Sequence, residues 1–182
     1  MVRSCKAVGM GLLVAVLGLL SPSLAPTAHA AGETPTLCTY KVHDSPSPGW
    51  LMTPSQGTSQ GSGTITCVGA LDGKQLAAKP GPFTWVYSYG SSDVPAGGNT
   101  CALGGVHGTW QVSLPTMDGA SIILSGPFIA VASLLGGELH GRFGRHPVEM
   151  LLSAYPEPNH LNQDCISNPA GDDEVIGGGT VG

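Results

Sequence analysis

Glu138, His140 and Arg142 stand at i, i+2 and i+4, with Arg145 and His146 shortly after. Side chains two apart on a strand share one face, about 6–7 Å from one another. Such a row could bind an anion or position a proton. Turned into a barrel lumen it would give a charged lining; turned outward it is the ordinary polar face of a strand that packs Leu139 and Phe143 inside. A second row, Phe83, Trp85, Tyr87 and Tyr89, recurs every two residues. Aromatic side chains supply large apolar area, and Trp and Tyr add a polar handle, so this row could line a ligand pocket or fill a core. The candidate ligand-binding residues are therefore Trp85, Tyr87, Tyr89, Glu138, His140 and Arg142.

Other chemistry is hard to find. There is no G-x-S-x-G elbow, and Gly61-Ser62-Gly63 is only a fragment of one. Gly104-Gly105 is not followed by the Lys-Ser/Thr pair of a phosphate loop, and no H-E-x-x-H occurs. The acidic triplet Asp172-Asp173-Glu174 lacks the spaced oxygen ligands of a calcium loop. His43 and His107 read as surface residues. The expectation is a protein that is not an enzyme, with no catalytic residue, cofactor or metal. A hydrolase built on dispersed acids is the third reading.

The N-terminus reads as an export signal. Arg3 and Lys6 precede an apolar run over residues 7–20, too short for an ordinary membrane span. Ser21, Pro22 and Pro26 break it. Ala28-His29-Ala30 is the small-x-small pattern that signal peptidase requires, which places cleavage after Ala30, with Ala31 as the alternative. Cleavage removes two of the seven basic residues and none of the twelve acidic ones, so five against twelve leaves −7 instead of −5. That charge argues against nucleic acid and anionic membranes as partners. The apolar stretch over residues 122–135 is interrupted by Ser125, Gly126, Pro127 and Ser133, so no stable membrane span is expected after cleavage.

Four cysteines remain, Cys38, Cys67, Cys101 and Cys165, and an even count in an exported chain reads as two disulfides. Three pairings are possible. Cys38–Cys165 with Cys67–Cys101 is favoured, because it ties both tails to the body. No C-x-x-C pair occurs and the histidines are scattered, which argues against zinc.

The elements that must position these residues are short strands. Trp110, Val112 and Leu114 alternate with Thr109, Gln111 and Ser113, and Leu139, Gly141 and Phe143 with Glu138, His140 and Arg142. Asp72-Gly73 and Asp118-Gly119 suit hairpin turns, and Gly136-Gly137 can serve the same purpose. Helical periodicity is almost absent; the best helix candidate is residues 147–155. Gly63-Thr64 recurs 45 residues on as Gly108-Thr109, and Gly81-Pro82-Phe83 as Gly126-Pro127-Phe128. Either a hairpin unit is duplicated or Gly-rich hairpins resemble one another by chance. Residues 44–63, rich in Ser, Pro, Gly and Thr around Trp50-Leu51-Met52, read as a flap over a barrel mouth or a mobile segment. The expected organisation is a signal peptide (1–30), an N-terminal segment with a Ser/Pro-rich loop (31–60), a β-barrel domain (61–167) and a flexible acidic, Gly-rich tail (168–182). The fold class is all-β, an antiparallel barrel of short hairpin-linked strands, with a β-sandwich as the alternative.

The run Gly63-Thr64-Ile65-Thr66-Cys67-Val68-Gly69, then Gly81-Pro82-Phe83, Gly108-Thr109, Leu114-Pro115-Thr116, Asp118-Gly119 and Asp164-Cys165 resembles small Gly/Thr-rich secreted proteins of actinobacteria with no assigned function. The resemblance covers about residues 61–165 and rests on turn and disulfide residues. It implies secretion and an all-β fold, and no catalytic residues. Glu149-Met150-Leu151-Leu152 departs from it, being more apolar than the usual Thr-rich end. Secreted biotin-binding barrels are similar in size and export, but their Trp-rich pattern is not visible. The reading that follows is a secreted, extracellular, non-catalytic barrel that binds a small ligand or an envelope component. A protease inhibitor or protein-interaction module, with bait near Thr53-Pro54, is the alternative. The partner is then a small molecule or a secreted protein.

Overall fold

Alternation governs the strands of this chain. In β1 (Thr36–Ser47) Cys38, Tyr40 and Val42 are buried while Thr39, Lys41 and His43 face out. The same period shapes β2 (Gly57–Val68), β5 (Gly81–Tyr89), β6 (Gly104–Pro115), β7 (Ser121–Ser133), β8 (Gly136–Phe143), β9 (His146–Pro156) and β10 (Asp173–Val181). A computed structural model describes residues 34–90, 100–133, 136–156, 165, 169, 171 and 173–182. Among them there is no helix. The proposed signal peptide lies outside the described residues.

The strands form a closed antiparallel barrel in the order β1-β2-β5-β6-β7-β8-β9-β10, with β10 returning to β1. Closure leaves the barrel no sheet edge, so each of its eight strands is paired on both sides. It also settles barrel against sandwich. The β3–β4 hairpin (Ala70–Leu71 and Lys74–Gln75) forms a separate two-stranded sheet between β2 and β5.

Aromatic rings fill the middle of the barrel. Trp110 stacks on Phe128 with centroids 4.8 Å apart, and Phe83 meets Tyr40, Trp85 and Phe143 edge-on. Rings of this size leave no room opposite them. A Cβ at Gly61, the β2 partner of Trp85 on β5, would collide with that indole, so glycine is required there. The 45-residue recurrence has a structural counterpart: Gly63 pairs with Phe83 across β2–β5, and Gly108 with Phe128 across β6–β7. The two hairpins share one register.

One end of the barrel is capped by the β3–β4 hairpin. Its turn has φ of 52° at Asp72 and 73° at Gly73, the left-handed pair expected of Asp-Gly. Leu71 and Leu76 are buried against the barrel core. Thr36 donates to the Ala70 carbonyl, Ala77 N–H to Pro115, and Met117 N–H to Gln75. Asp72 accepts from Arg145 and contacts His146 at 3.1 Å, which ties the hairpin to the β8–β9 turn.

Several expectations are corrected. The disulfides are Cys38–Cys67 and Cys101–Cys165, not Cys38–Cys165 and Cys67–Cys101. Cys38 and Cys67 are directly opposed inward residues of β1 and β2, with Cα atoms 4.1 Å apart. Cys38 lies near the capped end, whereas Cys165 lies beyond β9 at the other end, roughly 30 Å of strand away. The region assigned as a flexible tail contains β10, which closes the barrel by pairing with both β1 and β9. The barrel therefore spans residues 36–181, not 61–167, and includes β1 from the segment set apart as N-terminal. Residues 147–155 are strand, not helix. Most of residues 44–63 belongs to β1 and β2, leaving only residues 48–56 as the connection.

Candidate ligand-binding site

The end opposite the cap holds a cavity of about 80 Å³. The inward phase of β5 brings Trp85 and Tyr87 to it. β7 contributes Phe128 and Ala130, and β9 contributes Leu152 and Ala154. The small residues are what leave space: Ala130, Ala132 and Ala154 stand where rings would otherwise fill the lumen.

Two carboxylates, Asp44 and Asp173, lie among these apolar walls. Asp44, on the inward phase at the end of β1, is 5% exposed. Trp85 Nε1–H and Ser59 Oγ–H donate to its Oδ1, at 2.7 and 2.8 Å, and Tyr87 O–H donates to Oδ2 at 2.5 Å. An indole N–H can only donate, so Asp44 Oδ1 is an acceptor. Burial pushes the Tyr87 phenol far above its ordinary pKa, and the Asp44 charge adds to this, so Tyr87 stays a neutral donor. Burial likewise raises Tyr40, whose hydroxyl donates to the Leu151 carbonyl. Asp173, the first residue of β10, is the cross-strand partner of Asp44 and also lines the cavity.

Trp50 covers part of this end. Its ring stacks on Tyr89 at 5.0 Å and packs against the Cys101–Cys165 disulfide. The segment is strapped on both sides of that disulfide: Cys101 N–H donates to Leu51 O, and Met52 N–H to Cys165 O. Of the two readings of residues 44–63, the flap over a barrel mouth is the one this geometry supports. Burial also raises the Tyr89 pKa, and its hydroxyl faces Gly49.

The candidate residues from sequence divide between the two faces of the sheet. Trp85, Tyr87 and Tyr89 are inside. Glu138, His140 and Arg142 are exposed on the outer face of β8, where His140 Nε2 lies 3.3 Å from Glu138 Oε2. The two sets do not form one site, because a closed sheet separates them. Asp44, Ser59, Phe128 and Asp173 escaped the sequence reading. The available signal was that Asp44 continues the buried phase of Cys38, Tyr40 and Val42. Among the described residues no group of three or more His, Cys, Asp or Glu side chains is placed to hold a metal.

The fold and site define an eight-stranded up-and-down barrel, capped at one end, with an apolar cavity and a buried carboxylate at the other. No protein-family model, curated protein or solved structure matches the chain.

Proposed function

We propose that the protein is a secreted, non-catalytic barrel that binds a small molecule at its uncapped end. The supporting observation is the cavity itself: an apolar hollow bordered by a few polar groups, Asp44 and Asp173 among them, the usual form of a ligand site. Its volume is well below the roughly 300–1,000 Å³ of drug-sized sites, so the ligand, or the part of it that enters, has only a few heavy atoms unless Trp50 moves aside. Two disulfides in a small barrel are compatible with an extracellular location. The inhibitor reading has less support, because the segment leading to Thr53-Pro54 is strapped to the disulfide rather than presented as a free loop.

Native mass spectrometry of the protein purified from secreting culture tests the proposal, with Ala154→Phe as the blocked control. Ala154 is only partly buried, so a ring there obstructs the cavity without overfilling the core. The expected result is a small-molecule adduct on the wild type that is absent from Ala154→Phe. An adduct retained by Ala154→Phe, or n-butanol titrations that leave all indole resonances unmoved, would overturn the proposal.

The adjacent Asp44 and Asp173 favour a second reading, hydrolysis by paired carboxylates. Turnover of any substrate in a glycoside and ester panel, lost in Asp44→Asn with folding unchanged, would support it.

A further inference from the structure

We infer that the outer face of β7 and β8 is an interface between two copies of this chain. The closed sheet separates this face from the cavity, so the inference stands apart from the ligand-binding reading. The outward phase of β7 carries Pro127, Ile129 and Val131, and that of β8 carries Glu138, His140 and Arg142. Ile129 and Val131 are 61% and 57% exposed, and Leu151, which faces out from β9, is 64% exposed. Large apolar side chains gathered on the surface beside charged ones mark a protein contact.

Register sets these side chains in three rows across the strands. The first row is Val131, Glu138 and Leu151, and the second is Ile129, His140 and Glu149. In the third, Pro127 and Arg142 adjoin the Phe128–Gly141 pair, and Arg142 pairs with Pro147. Successive rows lie about 7 Å apart along the strands.

The rows complement themselves. A second copy turned over about an axis through the middle row, perpendicular to β8, lays its third row on the first row of this copy. Val131 then faces Pro127 of the second copy and Glu138 faces its Arg142. Ile129 meets its own counterpart at the axis. Every other contact occurs twice, as a two-fold interface requires. An axis along β8 would instead set Glu138 on Glu138 and Arg142 on Arg142. The order acid, imidazole, base along β8 therefore selects the second copy as occupant, because a uniformly acidic or basic partner is attracted by one end of the row and repelled by the other. Glu138 is open to this contact: His140 Nε2 lies 3.3 Å from it, yet its side chain stays 65% exposed. Glu149 also meets its counterpart, but on β9, outside the β7–β8 centre, where water and salt screen it. A contact centred on two strands of a convex barrel falls at the small end of interface sizes, so dissociation on the order of 0.1 mM is expected.

Sedimentation velocity of the secreted protein, both disulfides intact, from about 10 μM to 1 mM in physiological salt tests the proposal. The expected result is a reversible monomer–dimer equilibrium. Glu138→Arg and Arg142→Glu should each weaken it at least tenfold, since each sets two repulsive pairs across the axis, and the double exchange should recover the wild-type constant to within about threefold. Ile129→Asp should remain monomeric. All these positions are exposed, and an unchanged near-ultraviolet circular dichroism spectrum checks that each variant folds. A wild type that stays monomeric at 1 mM overturns the inference, as does a dimer indifferent to the single exchanges or not recovered by the double one. A monomeric wild type that binds another protein of the culture through Ile129 likewise overturns it and assigns the face to that partner.

Discussion

The two ends of the barrel are built from the same sheet but finished differently. At the capped end, chain folds back into the barrel: Leu71 and Leu76 are buried, and backbone hydrogen bonds tie the β3–β4 hairpin to the β6–β7 turn. At the other end, alanines replace rings, a carboxylate takes the place of an apolar side chain, and closure is left to Trp50 and a disulfide between loops. One end is finished for stability. The other gives up packing to keep a hollow and bury a carboxylate, the kind of local cost expected at the proposed ligand site.

The largest expected effect separates the aromatic middle from the mouth. Phe83 is fully buried and touches the rings of Tyr40, Trp85, Trp110 and Phe143. Phe83→Ala should lower the unfolding free energy by roughly 3–5 kcal/mol, measured by urea denaturation with disulfides intact. Trp50→Ala should cost under about 1.5 kcal/mol in the same assay, because its ring rests on Tyr89 and the disulfide rather than inside the belt. Equal costs would make the mouth part of the core.

The disulfides come next. Cys101→Ser with Cys165→Ser should cost roughly 2–4 kcal/mol and leave the near-ultraviolet signature of the aromatic belt intact. The strap on Leu51 and Met52 would be released with it, so the Trp50 fluorescence should shift toward that of an exposed indole. An unchanged Trp50 signal would show that stacking on Tyr89 alone holds the flap.

A smaller effect tests the cap. Burial opposes ionisation of Asp72, but the hydrogen bond from Arg145 and the charges of His146 and Arg145 outweigh it and hold its pKa below the ordinary carboxylate value. A depressed folded-state pKa stabilises at pH above the unfolded value and is lost as pH falls through the folded one. Wild type should therefore exceed Asp72→Asn in stability by no more than about 1 kcal/mol at pH 6, and the gap should close as pH falls below the ordinary Asp range. A gap that persists in acid would assign the effect to hairpin geometry instead of charge.

The smallest effect is expected on the outer face. Glu138→Gln and His140→Ala should each change stability by less than about 0.5 kcal/mol and leave ligand binding unaltered. Loss of binding in either would move the site to the outside of the barrel.

Where inward positions carry large side chains, the fold was legible in the sequence. Phe83, Trp85, Tyr87 and Tyr89 are all buried, as are Trp110, Val112 and Leu114. β10 was not legible, because Gly177 and Gly179 occupy inward positions and leave no apolar period to read. The Tyr40 ring covers Gly177, a contact visible only once β1 and β10 are paired. β9 was hidden differently: Leu151, exposed between Met150 and Leu152, fills the polar phase and blurs the alternation. The disulfides needed register, which cysteine spacing does not contain. The aromatic side of the site was readable from β5. Asp44 was signalled only by its place in the buried phase of β1, and Asp173 not at all, since it looks like a tail acid until the barrel closes and makes the two neighbours.

The most direct test of a ligand site at the uncapped end uses the three indoles as position markers. Trp50 lies at the mouth, Trp85 Nε1 is bonded to Asp44, and Trp110 Nε1 is bonded to the Arg142 carbonyl, outside the cavity lining. Two-dimensional ¹H–¹⁵N spectra recorded during an n-butanol titration follow all three at once. Saturable movement of the Trp50 and Trp85 indole signals, with Trp110 stationary, is the expected result. Movement of Trp110 alone, or no saturable movement of any of the three, would contradict it.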